Sequence, residues 1–250
     1  MIYLVTGGTG SLGSALVRKL SKEHQIRVYS RDEYKQSEMA KDNNPNVSYW
    51  LGCVCDLERL KEACEGVDVI IHTAAMKRMD TTSHNTYTVA DVNIRGTRNV
   101  MIAGRGKKII VVSTDKAFQP SCIYGASKMI AESIAIAGGA IVWRFGNFIG
   151  SRGSVWEIFK KQRKAGKPFT ITHPYASRFI IRLDEVCDLL LSDVEPGLHY
   201  PKNLKTMTVK QIADSIDPKW DSVVVGLREG EKMSEAFNEN YTSNYEDTIL

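Results

Sequence analysis

The sequence predicts an α/β fold, a doubly wound parallel sheet followed by a smaller α/β lobe, on three observations. Short apolar, β-branched runs alternate with segments of helical spacing over the first two-thirds of the chain. The runs are apolar on both parities, as in strands covered on both faces, instead of alternating apolar with polar. A glycine-rich turn, Gly7-Gly8-Thr9-Gly10-Ser11-Leu12-Gly13, also follows the first run directly and opens the first helical segment. That placement makes the predicted sheet a Rossmann sheet.

In chain order the predicted strands are Ile2–Thr6, Ile26–Ser30, Val47–Leu51, Val67–His72, Ile109–Ser113 and Ala140–Arg144. Between them, Leu12, Leu16 and Leu20 recur every four residues, as do Val92, Gly96 and Val100 in a longer helix before Ile109. After Gly150 the pattern loosens. Helices are expected from Val155 to Ala165 and from Asp184 to Leu191, and a third opens at Thr208, where Thr208-Val209-Lys210-Gln211 reads as a capping box. Short strands are expected at Phe169–Thr172, Phe179–Arg182 and Val223–Val225. Residues 1–147 are therefore read as the Rossmann domain and 148–250 as a small lobe that does not fold independently.

Composition narrows the function classes. The 250 residues suit one sizeable core, with 43% hydrophobic and 25% charged residues, as in a soluble globular chain. Lys and Arg number 33 against 29 Asp and Glu, a net +4. The nearest basic cluster, Lys160, Lys161, Arg163, Lys164 and Lys167, reads as a solvated helix face, so no nucleic-acid partner is expected. The longest apolar stretch, Ile134 to Trp143, is interrupted by Gly-Gly and is too short to cross a bilayer. Met1 to Val5 lacks a basic leader and reads as a buried strand. The five cysteines, Cys53, Cys55, Cys64, Cys122 and Cys187, complete no metal-ligand spacing. They are expected to be reduced thiols of a cytoplasmic protein that binds no metal.

The glycine turn asks for a phosphate. Gly7, Gly10 and Gly13 let the backbone approach a pyrophosphate, and the helix that follows offers free N–H groups and the positive end of its dipole. A carboxylate at the tip of the second strand would read the ribose of NAD, whereas cations there read the 2′-phosphate of NADP. Here Ser30 holds the tip, followed by Arg31, with Lys35 a helical turn later. Arg31 and Lys35 therefore favour NADP, although Asp32 and Glu33 could simply pair with them. Asp56, after the third strand, is read as an adenine contact or as a helix N-cap.

Ser113-Thr114-Asp115-Lys116-Ala117 ends the fifth strand, and Tyr124-Gly125-Ala126-Ser127-Lys128 opens the next helix. Tyr124 and Lys128, four apart, share a helix face, where the ammonium should ease loss of the phenol proton. A phenolate beside a bound nicotinamide can take the proton of a sugar hydroxyl during hydride transfer. Asp115 and Lys116 add an acid and a base beside the same strand end. Their plain alternative is a surface salt pair.

On these residues the chain resembles the extended short-chain dehydrogenase/reductases, and within them the UDP-N-acetylglucosamine 4,6-dehydratases of bacterial polysaccharide and flagellin-sugar biosynthesis. The matching pieces run nearly end to end. Besides the glycine turn they include Tyr29-Ser30-Arg31-Asp32-Glu33, Ala74-Ala75-Met76-Lys77, the two runs above, Arg144-Phe145-Gly146-Asn147, Gly150-Ser151-Arg152-Gly153-Ser154, Ser177-Arg178-Phe179 and Arg228-Glu229-Gly230-Glu231-Lys232.

The resemblance implies a redox-neutral cycle. Tyr124, with Lys128 and Thr114, takes the 4-hydroxyl proton as hydride passes to NADP; Lys116 removes the C5 proton, Asp115 protonates the departing 6-hydroxyl, and the hydride returns to C6. It further implies cofactor contacts from Gly7, Thr9, Gly10, Ser11, Leu12, Gly13, Asp56, Leu57, Ala74 and Ala75. Substrate contacts are implied from Lys77, Lys116, Asn147, Arg152, Arg178, Arg228 and Glu231, with UDP-N-acetylglucosamine or a related UDP-sugar as substrate. A homo-oligomer is expected, because closed symmetry is the common arrangement. A UDP-sugar 4-epimerase, a 5,6-dehydratase, an NADPH-dependent keto-sugar reductase and a non-catalytic NADP-binding regulator stay open as alternatives. Against the family the chain is short between Ile130 and Ala140 and after Lys232, which places the economy in the substrate lobe and tail.

Overall fold

The computed structural model describes residues 1–78 and 83–244. Seven strands form the large sheet: β1 (Ile2–Thr6), β2 (Gln25–Ser30), β3 (Val47–Leu51), β4 (Val69–His72), β5 (Lys108–Thr114), β6 (Ile141–Phe145) and β10 (Gly197–His199). Their order is β10-β6-β5-β4-β1-β2-β3, and every pairing is parallel. The first six match the predicted runs to within two residues at either end. The order reverses between β1 and β4, so a crevice opens beyond their carboxyl ends.

Successive side chains of a strand point to opposite faces, and the core divides accordingly. On one face Tyr3, Val5 and Val28 pack against Leu12, Leu16 and Leu20 of helix α1 (Ser11–Leu20). On the other, Leu4, Ile70 and Val111 meet Leu60 of α3 (Leu57–Cys64), Val100 of α4 (86–103) and Ala135 of α5 (Ile123–Ala137). Helix α2 (Glu33–Ala40) is capped by Asp32, and α3 by Asp56, each side chain accepting an amide hydrogen bond from three residues ahead. The predicted spacing of Val92, Gly96 and Val100 does fall on a helix, but Ala90–Arg95 within α4 is wound as a π-helix.

Beyond β6 a small lobe builds its own core. Trp156 and Phe159 of α6 (Val155–Lys164) pack on Phe169 and Ile171 of β8 (Phe169–Ile171) and on Ile212 of α8 (Val209–Asp214). Thr208 caps α8 in the expected capping box: its hydroxyl accepts from Gln211 N at 3.1 Å, and Gln211 Oε1 accepts from Thr208 N at 2.8 Å. A three-stranded sheet sets β9 (Ser177–Arg182) between β7 (Asn147–Ile149) and β11 (Lys205–Thr208), and β8 pairs with β12 (Ser222–Val224). The hairpin of β13 (Ala236–Asn238) and β14 (Tyr241–Thr242) lays Phe237 against Phe179, ring centroids 4.5 Å apart. The last residues of the predicted lobe, 245–250, lie outside the described residues.

Between β9 and β11 the chain returns to the large sheet. Helix α7 (Leu183–Leu190) buries Val186, Cys187 and Leu190 in the α1 face of the core, and β10 pairs with β6. Gly197-Leu198-His199 is too short a run for periodicity to announce it as a strand. No helix among the described residues is long and apolar enough to cross a membrane.

Candidate active site

The glycine turn closes on itself and on the end of β4. Gly10 N donates to Gly7 O at 2.8 Å. Gly7 sits at φ +68°, where a Cβ would stand 2.8 Å from the Ala74 backbone; on Gly13 it would stand 2.4 Å from Gly7 O. Only glycine permits this contact of strand, turn and helix. The turn therefore presents the first amides of α1, which have no partner one turn back, beside Ala74 and Ala75. This is a cradle that a dinucleotide pyrophosphate fits.

A cavity of 350 Å³ flanks the turn, lined among others by Thr9, Ser11, Arg18, Lys35 and Arg152. Arg152 reaches it from the far lobe: its amide donates to Ser11 Oγ at 2.9 Å and its guanidinium to Thr9 O. The structure thus sets Arg152 on the glycine turn. Arg18, which sequence reading passed over, lies seven residues along α1 from Ser11, on the same helix face. Ser30 is buried at the tip of β2, where its hydroxyl accepts from Gln36 Nε2 at 3.0 Å. Lys35 pairs with Asp32, and Arg31 stands exposed at the strand tip with no carboxylate partner among the described residues. Asp56 is exposed and Leu57 half-buried at the start of α3.

The chemistry-bearing residues converge at the end of β5. Asp115–Ala117 forms one tight helical turn capped by Thr114, whose hydroxyl donates to Asp115 Oδ1 at 3.0 Å. A Cβ on Gly125 would stand 2.2 Å from Lys116 O, so the missing side chain lets α5 seat directly on this turn and brings Tyr124 to Thr114 and Lys116. Lys116 Nζ lies 3.1 Å from Asp115 Oδ1 and 3.0 Å from Glu235 Oε1. Burial opposes the charge on Lys116, yet those two carboxylates outweigh it and hold the ammonium above the ordinary lysine range.

Burial pushes the Tyr124 phenol up to about 12, with the Lys116 charge and the Thr114 hydroxyl pulling the other way. Lys116 is thus a cation beside Tyr124 that the spacing of Tyr124 and Lys128 did not announce. The Lys128 ammonium is buried and donates to Val112 O at 2.7 Å. Its burial brings it down to about 8, against the opposing pull of Glu132.

The remaining predicted residues separate into two sets. Lys77, Arg228 and the Arg152 side chain are exposed, and Asn147 is half-buried at the start of β7. Arg178 and Glu231 are paired with each other instead: Arg178 Nη2 is 2.8 Å from Glu231 Oε1, and its Nη1 donates to Ser177 O and Met233 O. His72 and Trp143 are buried strand residues, as read. The five cysteines are unpaired, and no metal-holding group of His, Cys, Asp or Glu occurs among the described residues.

Three groups were not legible. Asn93, on the π-helical insert, accepts from Met76 N at 2.8 Å and donates to Met76 O and Ser127 Oγ, which fixes the Ala74-Ala75-Met76-Lys77 segment. Glu132 and Arg144 form a buried ion pair behind Lys128. Glu235 comes from the segment after Lys232, which is stitched over the site by Lys232 Nζ to Phe118 O at 3.0 Å and Ser121 Oγ to Gly230 O at 2.7 Å. These partners are distant in sequence, so no spacing announces them.

Residues 3–249 match the family described as polysaccharide biosynthesis protein. Among curated relatives, the chain is 38% identical over 252 residues to the UDP-N-acetylglucosamine 4,6-dehydratase (inverting) of Campylobacter jejuni subsp. jejuni serotype O:2, covering 93% of this chain and 75% of that protein. It is 35% identical over 259 residues to the UDP-glucose 4-epimerase of Rickettsia conorii, covering 93% and 76%. Among solved structures, the Pen protein of Bacillus thuringiensis superposes with a TM-score of 0.88 at 28% identity, covering 94% of this chain and 79% of that one. The dTDP-glucose 4,6-dehydratase DesIV of Streptomyces venezuelae, with NAD bound, gives 0.83 at 22% identity, covering 93% and 87%, a likeness of fold.

Proposed function

The chain belongs to the polysaccharide biosynthesis protein family, and we propose that it is a UDP-N-acetylglucosamine 4,6-dehydratase, a nucleotide-sugar lyase that forms a UDP-4-keto-6-deoxy-N-acetylhexosamine. The observation that carries the reading is the Asp115–Lys116 pair, 3.1 Å apart at the strand end that holds Thr114 and that Tyr124 of α5 meets. Oxidation of a sugar hydroxyl alone needs no such pair, whereas eliminating water across C5 and C6 needs both an acid and a base. The 38% identity to a protein of that name supports it.

The chain's own residues divide the work. Tyr124 takes the proton of the 4-hydroxyl, with Lys116 and Thr114 opposing the rise that burial imposes on its phenol. Once C4 is a ketone, C5–H is acidic; Lys116 removes that proton and Asp115 protonates the leaving 6-hydroxyl. The nicotinamide ring of NADP supplies a hydride acceptor for C4 and a hydride donor for C6. The residues of the glycine turn with Ala74 and Ala75 would hold its pyrophosphate, and Arg31 and Lys35 its 2′-phosphate. Lys77, Asn147, Arg152 and Arg228 are the cations and amide left to meet the UDP-sugar from the lobe side. Arg178 and Glu231 shape that side through their own pair.

A cytoplasmic homo-oligomer completes the proposal. Tyr87 and Ile102 of α4, with Met129, Ile130 and Ile136 of α5, expose apolar side chains on neighbouring helices, which a second copy would cover. The test of the activity is incubation with UDP-N-acetylglucosamine without added reductant, followed by NMR. A 6-methyl, 4-keto sugar is the expected product. A 4-epimer, as the 35% identity to a UDP-glucose 4-epimerase would favour, overturns the reading, as do an exocyclic alkene or unchanged substrate.

A further inference from the structure

Lys116 poses a chemical problem for the reaction just proposed. Its nitrogen lies between two carboxylates, 3.1 Å from Asp115 Oδ1 and 3.0 Å from Glu235 Oε1, and an ammonium so held has no lone pair for a C5 proton. Both carboxyl groups are buried, Asp115 at 0% and Glu235 at 2% exposure. Their second oxygens, Asp115 Oδ2 and Glu235 Oε2, have no hydrogen-bond partner among the described residues. Two carboxylates around one ammonium leave a surplus negative charge, and buried acceptors without donors are rare enough to need a reason. Asp115 has one in the proposed mechanism. Glu235 has none.

Glu235 is also placed with care. Its amide donates to Ser243 Oγ at 2.9 Å, Ser243 N donates to its carbonyl at 2.8 Å, and β13 follows immediately. The Arg178–Glu231 pair fixes the same segment from the other side, and the Arg178 charge reaches Lys116. The groups that face the Lys116 ammonium are therefore Asp115, Glu235, Arg178 and the Tyr124 phenol.

Resting on the dehydratase reading, we propose that Glu235 is a positioning residue for the elimination, which anchors the Lys116 nitrogen and stabilises the ammonium formed when that nitrogen takes the C5 proton. The proton count then closes. Lys116 first passes one proton to Asp115, giving a neutral amine and a carboxylic acid. The amine takes the C5 proton, the C5–H electrons become the C5–C6 double bond, and the C6–O bond breaks as Asp115 gives its proton to the leaving oxygen. Water departs, Lys116 is again an ammonium and Asp115 a carboxylate. Glu235 stays a carboxylate throughout, so the new ammonium is formed beside a negative charge.

The test is Glu235→Gln, which keeps the shape and one acceptor and removes the charge, read in two ways. In protein labelled with ¹³C at the lysine Cε, the Lys116 resonance, assigned by its loss in Lys116→Arg, should titrate at least about one pH unit lower in Glu235→Gln than in wild type, a ten-fold change in proton affinity. This readout needs no substrate. With UDP-N-acetylglucosamine, kcat for keto-sugar formation should fall about ten-fold or more while KM and UDP affinity hold, and Glu235→Asp should recover part of the loss. An unshifted Lys116 titration overturns the proposal whatever the activity. A shifted titration with unchanged kcat overturns the role in elimination. A wild type that forms no keto sugar overturns the dehydratase reading, and this role with it, even if the titration shifts.

Discussion

Arg144 and Glu132 form a buried ion pair, Nη2 to Oε2 2.7 Å, that ties β6 to the helix bearing Tyr124 and Lys128. The guanidinium also donates through Nε to Glu132 Oε1 at 2.9 Å and through Nη1 to Phe237 O at 2.7 Å. One side chain thus joins the large sheet, α5 and the C-terminal hairpin. Glu132 in turn lies one helical turn beyond Lys128 and is the carboxylate that opposes its loss of charge.

Breaking this pair from one side should cost more than removing it whole. Arg144→Met leaves Glu132 buried without its guanidinium, keeping only the Ser113 hydroxyl as donor and the Lys128 charge nearby, which should lower unfolding free energy by about 3 kcal/mol in urea titration. The double variant Glu132→Leu with Arg144→Met removes both charges and should be the more stable of the two. A double variant as unstable as the single would mean that packing, not the orphaned charge, sets the cost.

Gly125→Ala should separate catalysis from folding. The added methyl, 2.2 Å from Lys116 O as placed, must push α5 away from the Asp115–Ala117 turn. Overpacking of this kind costs about 1–3 kcal/mol, which a Tm scan measures. The displacement between Tyr124 and Lys116 should lower kcat by about 10²-fold, the scale of a 1 Å misplacement. Turnover that falls only as far as the folded fraction does would show that the seat of α5 has no bearing on the chemistry.

The large sheet was legible because its signals are local. Apolar runs on both parities marked β1 to β6, and the glycine turn marked where β1 ends. The capping box at Thr208 was legible for the same reason. What stayed hidden is carried by pairs far apart in the chain. Lys116 and Glu235, Arg144 and Phe237, and Ser177 and Ser243 meet only because the segment after Arg228 folds back over β5 and β9. Motif reading likewise assigned Arg178 and Glu231 one by one and had no means to see them as partners. The π-helical insert kept the predicted four-residue spacing of Val92, Gly96 and Val100, so nothing in the pattern marked the turn that presents Asn93.

Cofactor choice should rest on Arg31 more than on Lys35. Lys35 already pairs with Asp32, whereas Arg31 has no carboxylate partner among the described residues. Calorimetric titration should show Arg31→Ala weakening NADP by about ten-fold, the worth of one charge-assisted contact, with NAD affinity unchanged. Lys35→Ala should do less. Equal losses for both dinucleotides would place Arg31 away from the 2′-phosphate.

His72 makes the fold sensitive to acid. It is buried at the end of β4, with Nδ1 2.7 Å from Thr6 Oγ1 and Nε2 3.2 Å from Thr97 Oγ1. The Thr97 hydroxyl donates to Asn93 O at 2.6 Å, so it accepts from Nε2–H, and Nδ1 accepts from Thr6. Both ring nitrogens are satisfied in the neutral form. Burial, reinforced by the Lys128 charge, brings the imidazole down to about 3 from 6.5. Between those values the unfolded chain binds a proton that the folded chain refuses, so stability falls as pH drops, by about 1.4 kcal/mol per unit for this group. Well above pH 6.5 the group contributes no slope. Unfolding free energy measured from pH 6.5 to 4.5 should therefore fall about 2.3 kcal/mol more in wild type than in His72→Gln, which cannot titrate. Comparing slopes removes the constant cost of the substitution and the contribution of the carboxylates common to both proteins. Parallel slopes would mean that His72 takes up its proton in the folded state as readily as in the unfolded chain, with the Thr6 hydroxyl turned to accept from Nδ1–H.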